Sequence, residues 1–83
     1  MTFKNTGTVP LRVQMATQLT PQFQPINPAA EIDLAPGQSV QRDIVAGRYF
    51  FVWSRDCATT CSRITSYAKD FESCNSYTEE KGL

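Results

Sequence analysis

Apolar and polar residues alternate along several short segments of this chain. The clearest segment is residues 9–15, where every second position is apolar and the intervening positions are proline, arginine and glutamine. Strict alternation is typical of a β-strand that buries one face and exposes the other. Shorter stretches of the same pattern predict strands at residues 2–4 and 31–34.

A turn at Pro36 and Gly37 introduces the strongest strand signals of the chain. Proline presets φ at one central position of a type II turn, and glycine accepts the positive φ that the next position needs. Residues 40–45 and 48–55 are then expected to form the two strands of a hairpin.

The second strand of this hairpin is apolar on both faces. Tyr49, Phe51 and Trp53 point one way, while Phe50 and Val52 point the other. Such a strand belongs in the centre of a sheet that is covered on both sides. One side is expected to be the core and the other to be covered by the C-terminal segment or by another molecule. The large aromatic side chains Tyr49 and Trp53 are therefore candidate partner contacts.

Residues 19–28, here called the proline loop, contain three of the five prolines and fit no regular period. Leu19, Phe23 and Ile26 are large apolar side chains in these polar surroundings. Two interpretations are open. Either the loop crosses the sheet and tucks these side chains into its open side, or it presents them, Phe23 above all, to a partner protein.

The C-terminal part, residues 57–83, is expected to act as a clamp across the sheet followed by a solvated tail. Apolar residues at spacings of three and four predict a helix of about three turns: Ile64, Tyr67, Ala68 and Phe71. A further strand at residues 63–67 is the competing interpretation and is left open.

Composition sets the limits on function. An 83-residue chain is one domain, and it buries only about 60 to 65% of its unfolded surface, so a disulfide, a metal or a partner subunit is expected to assist it. The net charge of zero argues against nucleic-acid or anionic-membrane surfaces. No apolar stretch has the length of a membrane span or of a signal peptide, so the cytoplasm or a virus particle is favoured over classical secretion.

The cysteines Cys57, Cys61 and Cys74 are the most reactive residues of the chain. A zinc site is disfavoured, because the chain has no histidine and zinc needs four ligands. A disulfide from Cys57 or Cys61 to Cys74 would close a loop of roughly 14 to 18 residues and contribute about 3 kcal/mol. In a reducing compartment all three would instead remain thiols.

No catalytic or cofactor-binding pattern is present in the sequence. Without histidine there is no ordinary Ser-His-Asp or Cys-His pair. Two carboxylate pairs have structural explanations: Glu31 and Asp33 lie on the polar face of a strand, and Glu79 and Glu80 are expected in a frayed tail. We therefore expect no enzyme, no metal and no cofactor.

One family resemblance is carried by three parts of the sequence: Asn5-Thr6-Gly7-Thr8-Val9-Pro10-Leu11-Arg12-Val13, Phe23, and Leu34-Ala35-Pro36-Gly37-Gln38-Ser39-Val40. This order resembles the immunoglobulin-like modules of the major sperm protein type, including the ASPM-SPD2-Hydin group, over about residues 3–50. The chain departs from that pattern after Gly47. The resemblance implies a binding or scaffolding module, and no functional residue carries over from it.

Together these patterns predict an all-β fold, a small antiparallel β-sandwich of immunoglobulin-like or jelly-roll-like form, with a short C-terminal helix or an extra strand. The expected function is a structural or assembly protein that acts through protein–protein contacts, for example as a component of a virus or phage particle. Its partners would be further copies of the chain or another protein, in an oligomer or a larger assembly. The alternative is a monomeric inhibitor or adaptor that binds its partner with the proline loop.

Overall fold

The computed structural model describes residues 1–57, 61–71 and 77–83. Every regular element within these ranges is a β-strand, which confirms the predicted all-β fold class. The strands are β1 (Thr2–Asn5), β2 (Leu11–Ala16), β3 (Ala30–Leu34), β4 (Ser39–Gln41), β5 (Gly47–Arg55), β6 (Ser62–Phe71) and β7 (Thr78–Lys81).

The strands form two sheets that pack as a small β-sandwich. The larger sheet has the order β3-β2-β5-β6 and is antiparallel throughout. The smaller sheet has the order β4-β1-β7, with β4 antiparallel and β7 parallel to β1. The aromatic strand β5 lies between β2 and β6, so its predicted central position is confirmed.

The C-terminal helix prediction is wrong, and the competing strand is correct. β6 pairs with β5 along its length, placing Tyr67 opposite Phe51 and Asp70 opposite Arg48. Thr65 and Tyr67 lie opposite the core residues Trp53 and Phe51, whereas Ala68 of the helical pattern lies opposite Phe50 on the outer side of the sheet. Pairing with the long β5 edge satisfies the backbone of this segment, and this tertiary contact outweighs the local periodicity.

The predicted hairpin between residues 40–45 and 48–55 is also wrong. β4 is shorter than expected and pairs with β1, where Val40 lies opposite Phe3. β5 belongs to the other sheet, so residues 42–46 cross from one layer to the other. The alternation of apolar and polar residues shows which face of a strand is buried, but it does not show which other strand lies beside it in the sheet.

The core lies between the two sheets. Its buried apolar side chains, among the residues described, are Phe3, Leu11, Val13, Met15, Ile32, Leu34, Tyr49, Phe51 and Trp53. Tyr49 and Trp53 are thus internal, with Trp53 fully buried. This corrects their prediction as partner contacts, because a partner could reach them only by opening the fold.

A polar network inside the sandwich fixes β7 against the larger sheet. Glu79 is buried, and its carboxylate accepts hydrogen bonds from the hydroxyls of Tyr67 (2.9 Å) and Tyr77 (3.1 Å). Lys69 lies 3.0 Å from the same carboxylate, and the Trp53 indole donates to Tyr67 at 2.9 Å. The expectation that Glu79 lies in a frayed tail is therefore wrong.

This network predicts a loss of stability at alkaline pH. Burial raises the pKa of Tyr67 to about 12, whereas an unfolded tyrosine titrates near 10. Between these values the unfolded chain releases a proton that the folded chain retains, so the free energy of unfolding falls as pH rises. Because Tyr67 is only half-buried, we expect a loss of about 1 kcal/mol between about pH 9 and about pH 11.

Urea unfolding of the wild type and of Tyr67→Phe at both pH values measures this effect. Tyr67→Phe removes the ionisable hydroxyl, so its stability should fall less over the same interval. Equal losses in the two proteins would show that Tyr67 is not responsible.

Candidate functional site

The proline loop is a closed, hydrogen-bonded structure. Leu19 and Pro25 form an isolated β-bridge, and the amide of Ile26 donates to the Gln18 carbonyl at 3.0 Å. At its tip the Phe23 amide donates to the carbonyl of Thr20 at 2.9 Å. These bonds define a tight turn that contains a proline, which already presets the backbone. The loop is therefore held in one conformation by its own backbone hydrogen bonds.

Phe23 is the most unusual residue of this loop. Its φ of 62° lies in the left-handed region, which a bulky side chain enters only at a cost of about 1 kcal/mol or more. Phe23 is 50% exposed and Ile26 is 38% exposed, whereas Leu19 is half-buried. The structure therefore presents two of the three predicted contact residues to solvent and partly covers the third.

A cavity of about 610 Å³ lies between the proline loop and the outer face of the larger sheet. We call it the loop cavity. Its described lining residues come from the loop, from β2, β5 and β6, and from the residue before β6: Arg12, Gln14, Pro21, Gln22, Phe23, Gln24, Val52, Ser54, Cys61 and Arg63. The proline loop thus lies over part of the outer face of β5, which was expected to be covered by the C-terminal segment or by another molecule, and Val52 on this face is buried.

The charged side chains in the described lining of the loop cavity are all positive. Its described lining contains two arginines and no carboxylate. Arg12 is compensated from the neighbouring strand, with its Nε 2.7 Å from Asp33 and its Nη1 3.4 Å from Glu31. The hydrogen bond from Arg12 lowers the pKa of Asp33. Arg63, in contrast, has no acidic partner among the described residues, and its guanidinium lies 4.6 Å from the centre of the Phe23 ring.

Ser54 is a buried polar group that faces this cavity. The residue is only 4% exposed and lines the cavity. Its hydroxyl makes no hydrogen bond to another described residue, but it is not fully enclosed, because every fully enclosed side-chain nitrogen or oxygen of these residues has a partner. A hydroxyl in this position can form a hydrogen bond with water or with a ligand in the cavity. The sequence contained an indication that Ser54 is special, because it is a hydroxyl residue directly after the apolar run of residues 49–53.

The disulfide joins Cys57 to Cys61. This differs from the predicted bridge to Cys74, which lies outside the described residues. The pairing closes the short connection between β5 and β6, because the two strands bring their adjoining ends together. Arg12 Nη1 donates to Cys61 Sγ at 3.6 Å, so the disulfide forms one wall of the loop cavity.

The pairing makes a prediction for peptide mapping. Trypsin cleaves after Arg55 and Arg63, so both cysteines of the disulfide fall in one peptide, residues 56–63. Without reductant this peptide should be lighter by two hydrogen atoms. Replacing Cys57 and Cys61 with alanine should lower the free energy of unfolding by about 2 kcal/mol, since the closed loop is short. A cross-linked pair of different peptides would contradict the assignment.

A second groove lies at the end of the larger sheet, on the other side of the disulfide. Its lining includes Asp33, Arg55, Asp56 and Cys57. The charged groups here are paired, because Arg55 lies 3.2 Å from Asp56 and Asp33 is held by Arg12. This groove therefore offers no uncompensated charge to a ligand.

The described residues contain no group of three or more histidine, cysteine, aspartate or glutamate side chains that could hold a metal ion. No helix in these ranges is long and apolar enough to cross a membrane. Comparison with protein-family models, with curated proteins and with solved structures finds no match to this chain. The resemblance to major sperm protein modules stays a prediction.

Proposed function

We propose that this protein is a non-enzymatic binding module that recognises a partner protein with its proline loop. The observation that carries this proposal is the exposed Phe23 ring, held at a positive φ on a loop closed by its own hydrogen bonds. Strained, exposed aromatic residues of this kind concentrate at recognition sites. A preformed loop also loses little conformational entropy on binding.

The distribution of exposed apolar side chains supports the same conclusion. Of the described residues, the large apolar side chains that are exposed are Phe23, Ile26, Val45 and Leu83. Two of these lie three residues apart on the proline loop. Since Tyr49 and Trp53 are internal, the loop is the surface on which aromatic and aliphatic contacts with a partner can combine.

Replacing Phe23 and Ile26 with serine should abolish partner binding without unfolding the protein. Both side chains are exposed, so we expect the free energy of unfolding to change by no more than about 0.5 kcal/mol. Affinity capture from the native cells, followed by titration of the purified partner, measures the effect. Val45→Ser is the matched control, because Val45 is 79% exposed and lies outside the loop. Unchanged affinity of the double variant would end the proposal.

A second candidate function is self-assembly through the edge of β6, as in a structural component of a larger particle. β6 has ten residues, and β5 is its one strand partner among the described residues. In a two-fold antiparallel pair of β6 strands centred between residues 66 and 67, Arg63 of one copy would lie opposite Asp70 of the other. Exposed strand edges favour such pairing.

Size-exclusion chromatography with light scattering tests this second function. Self-assembly predicts a dimer or larger species at low micromolar concentration, and Asp70→Arg should weaken it by placing two arginines opposite each other. A stable monomer across this concentration range would count against assembly and leave the binding proposal untouched.

A further inference from the structure

We infer that the loop cavity binds the carboxylate of an acidic side chain in the partner, so that the protein recognises an acidic residue flanked by apolar ones. This inference rests on the proposed function, since it names the chemistry of the partner that the proline loop contacts. The juxtaposition that supports it is Arg63, Ser54 and Phe23 around one cavity on the outer face of the sheet.

Arg63 supplies the charge for this site. Its guanidinium is oriented by the Phe23 ring at 4.6 Å and has no acidic partner among the described residues. A guanidinium held over an aromatic ring still has N–H groups that match the two oxygens of a carboxylate. The contact also places the charged group beside the exposed apolar tip of the proline loop.

Ser54 supplies a hydrogen-bond donor in the floor of the cavity. Its hydroxyl makes no hydrogen bond to a described residue, and it is not fully enclosed, because every fully enclosed side-chain nitrogen or oxygen of the described residues has a partner. The hydroxyl is therefore able to donate a hydrogen bond to a ligand oxygen in the cavity. Gln14, Gln22 and Gln24 line the same space, and their side-chain amides are further hydrogen-bond donors available to a bound carboxylate.

The amount of charge favours a carboxylate over a phosphate. Arg12, the other arginine of the lining, is already held by Asp33 and Glu31, so one positive charge is left for the ligand. A single arginine balances a carboxylate, whereas a phosphate carries nearly two negative charges at neutral pH. The cavity of about 610 Å³ has room for a glutamate side chain with part of its flanking peptide.

Nuclear magnetic resonance titration of the isotope-labelled protein with short peptides tests this inference. The probes are acetyl-Leu-Glu-Leu-amide, its glutamine counterpart, and a third peptide with phosphoserine at the centre. We expect saturable shift changes at Ser54, Arg63 and Phe23 with the glutamate peptide, and about tenfold weaker binding of the glutamine peptide. Binding of the glutamate peptide should weaken at high salt.

Variants assign the binding to the cavity. Arg63→Gln should weaken the glutamate peptide about tenfold and Ser54→Ala about fivefold, while both should leave the glutamine peptide unaffected. Arg42→Gln is the matched control, because Arg42 is exposed and does not line the loop cavity. A thermal melt of each variant confirms that it is folded.

Three results would overturn the inference: equal binding of the glutamate and glutamine peptides, tighter binding of the phosphoserine peptide, or a glutamate affinity that Arg63→Gln leaves unchanged. The proposed function fails separately. If serine at positions 23 and 26 still abolishes partner binding while the peptides do not discriminate, the proline loop is the recognition surface and the cavity is not a carboxylate site.

Discussion

Trp53→Ala is expected to leave little or no folded protein at room temperature. The Trp53 side chain is fully buried in the centre of β5, and truncating a buried tryptophan costs about 3 to 5 kcal/mol. The total stability of a domain this small lies at the low end of about 5 to 15 kcal/mol. The substitution also removes the indole that donates to Tyr67 at 2.9 Å.

Circular dichroism during urea unfolding measures this prediction. Val45→Ala is the matched control, since it also truncates an apolar side chain but at a position that is 79% exposed. The control should change the free energy of unfolding by less than about 0.5 kcal/mol. Similar unfolding curves for the two variants would show that β5 does not lie in the core as described.

Glu79→Ala is expected to destabilise the protein by about 2 to 3 kcal/mol. Removing one member of a buried ion pair costs about 3 to 5 kcal/mol because the other charge is left buried without a partner. The Lys69 side chain is 44% exposed, however, so water screens part of that charge and the loss is smaller. The hydroxyls of Tyr67 and Tyr77 lose their shared acceptor at the same time.

The adjacent residue provides a close control for this substitution. Glu80 is exposed and lies next to Glu79 in β7, so Glu80→Ala removes the same charge from the same strand without opening the network. Chemical unfolding of both variants at neutral pH should separate them by about 2 kcal/mol. Equal stability would contradict the burial of Glu79. The double variant Lys69→Met with Glu79→Leu should recover part of the loss, since it replaces both charges by apolar groups.

The fold was predictable where alternation and strand chemistry agree. In β2 the alternating apolar residues Leu11, Val13 and Met15 are all buried, and the dense aromatic run of β5 lies in the centre of its sheet. These are local properties, because an apolar residue at every second position is enough to indicate which face of a strand is buried. Which strands become neighbours depends on contacts between distant parts of the chain, and for that reason β4 was assigned to the wrong partner.

The candidate site was predictable only in part. The proline loop was visible in the sequence, because three prolines and three large apolar residues in a polar stretch are unusual. The loop cavity was not, since Ser54 and Arg63 belong to strands whose pairing could not be read from the sequence. Residues 62–71 carry an apolar pattern that serves a helix and a strand alike, so the outward direction of Arg63 became known only with the pairing to β5.

Site-specific photocrosslinking in the cells that naturally produce this protein tests recognition by the proline loop most directly. A benzoylphenylalanine residue is placed at position 23 in one variant and at position 45 in another, since both side chains are exposed. Binding through the loop predicts a discrete covalent adduct with one partner protein from position 23 and none from position 45. No adduct from position 23, or equal adducts from both positions, would contradict it.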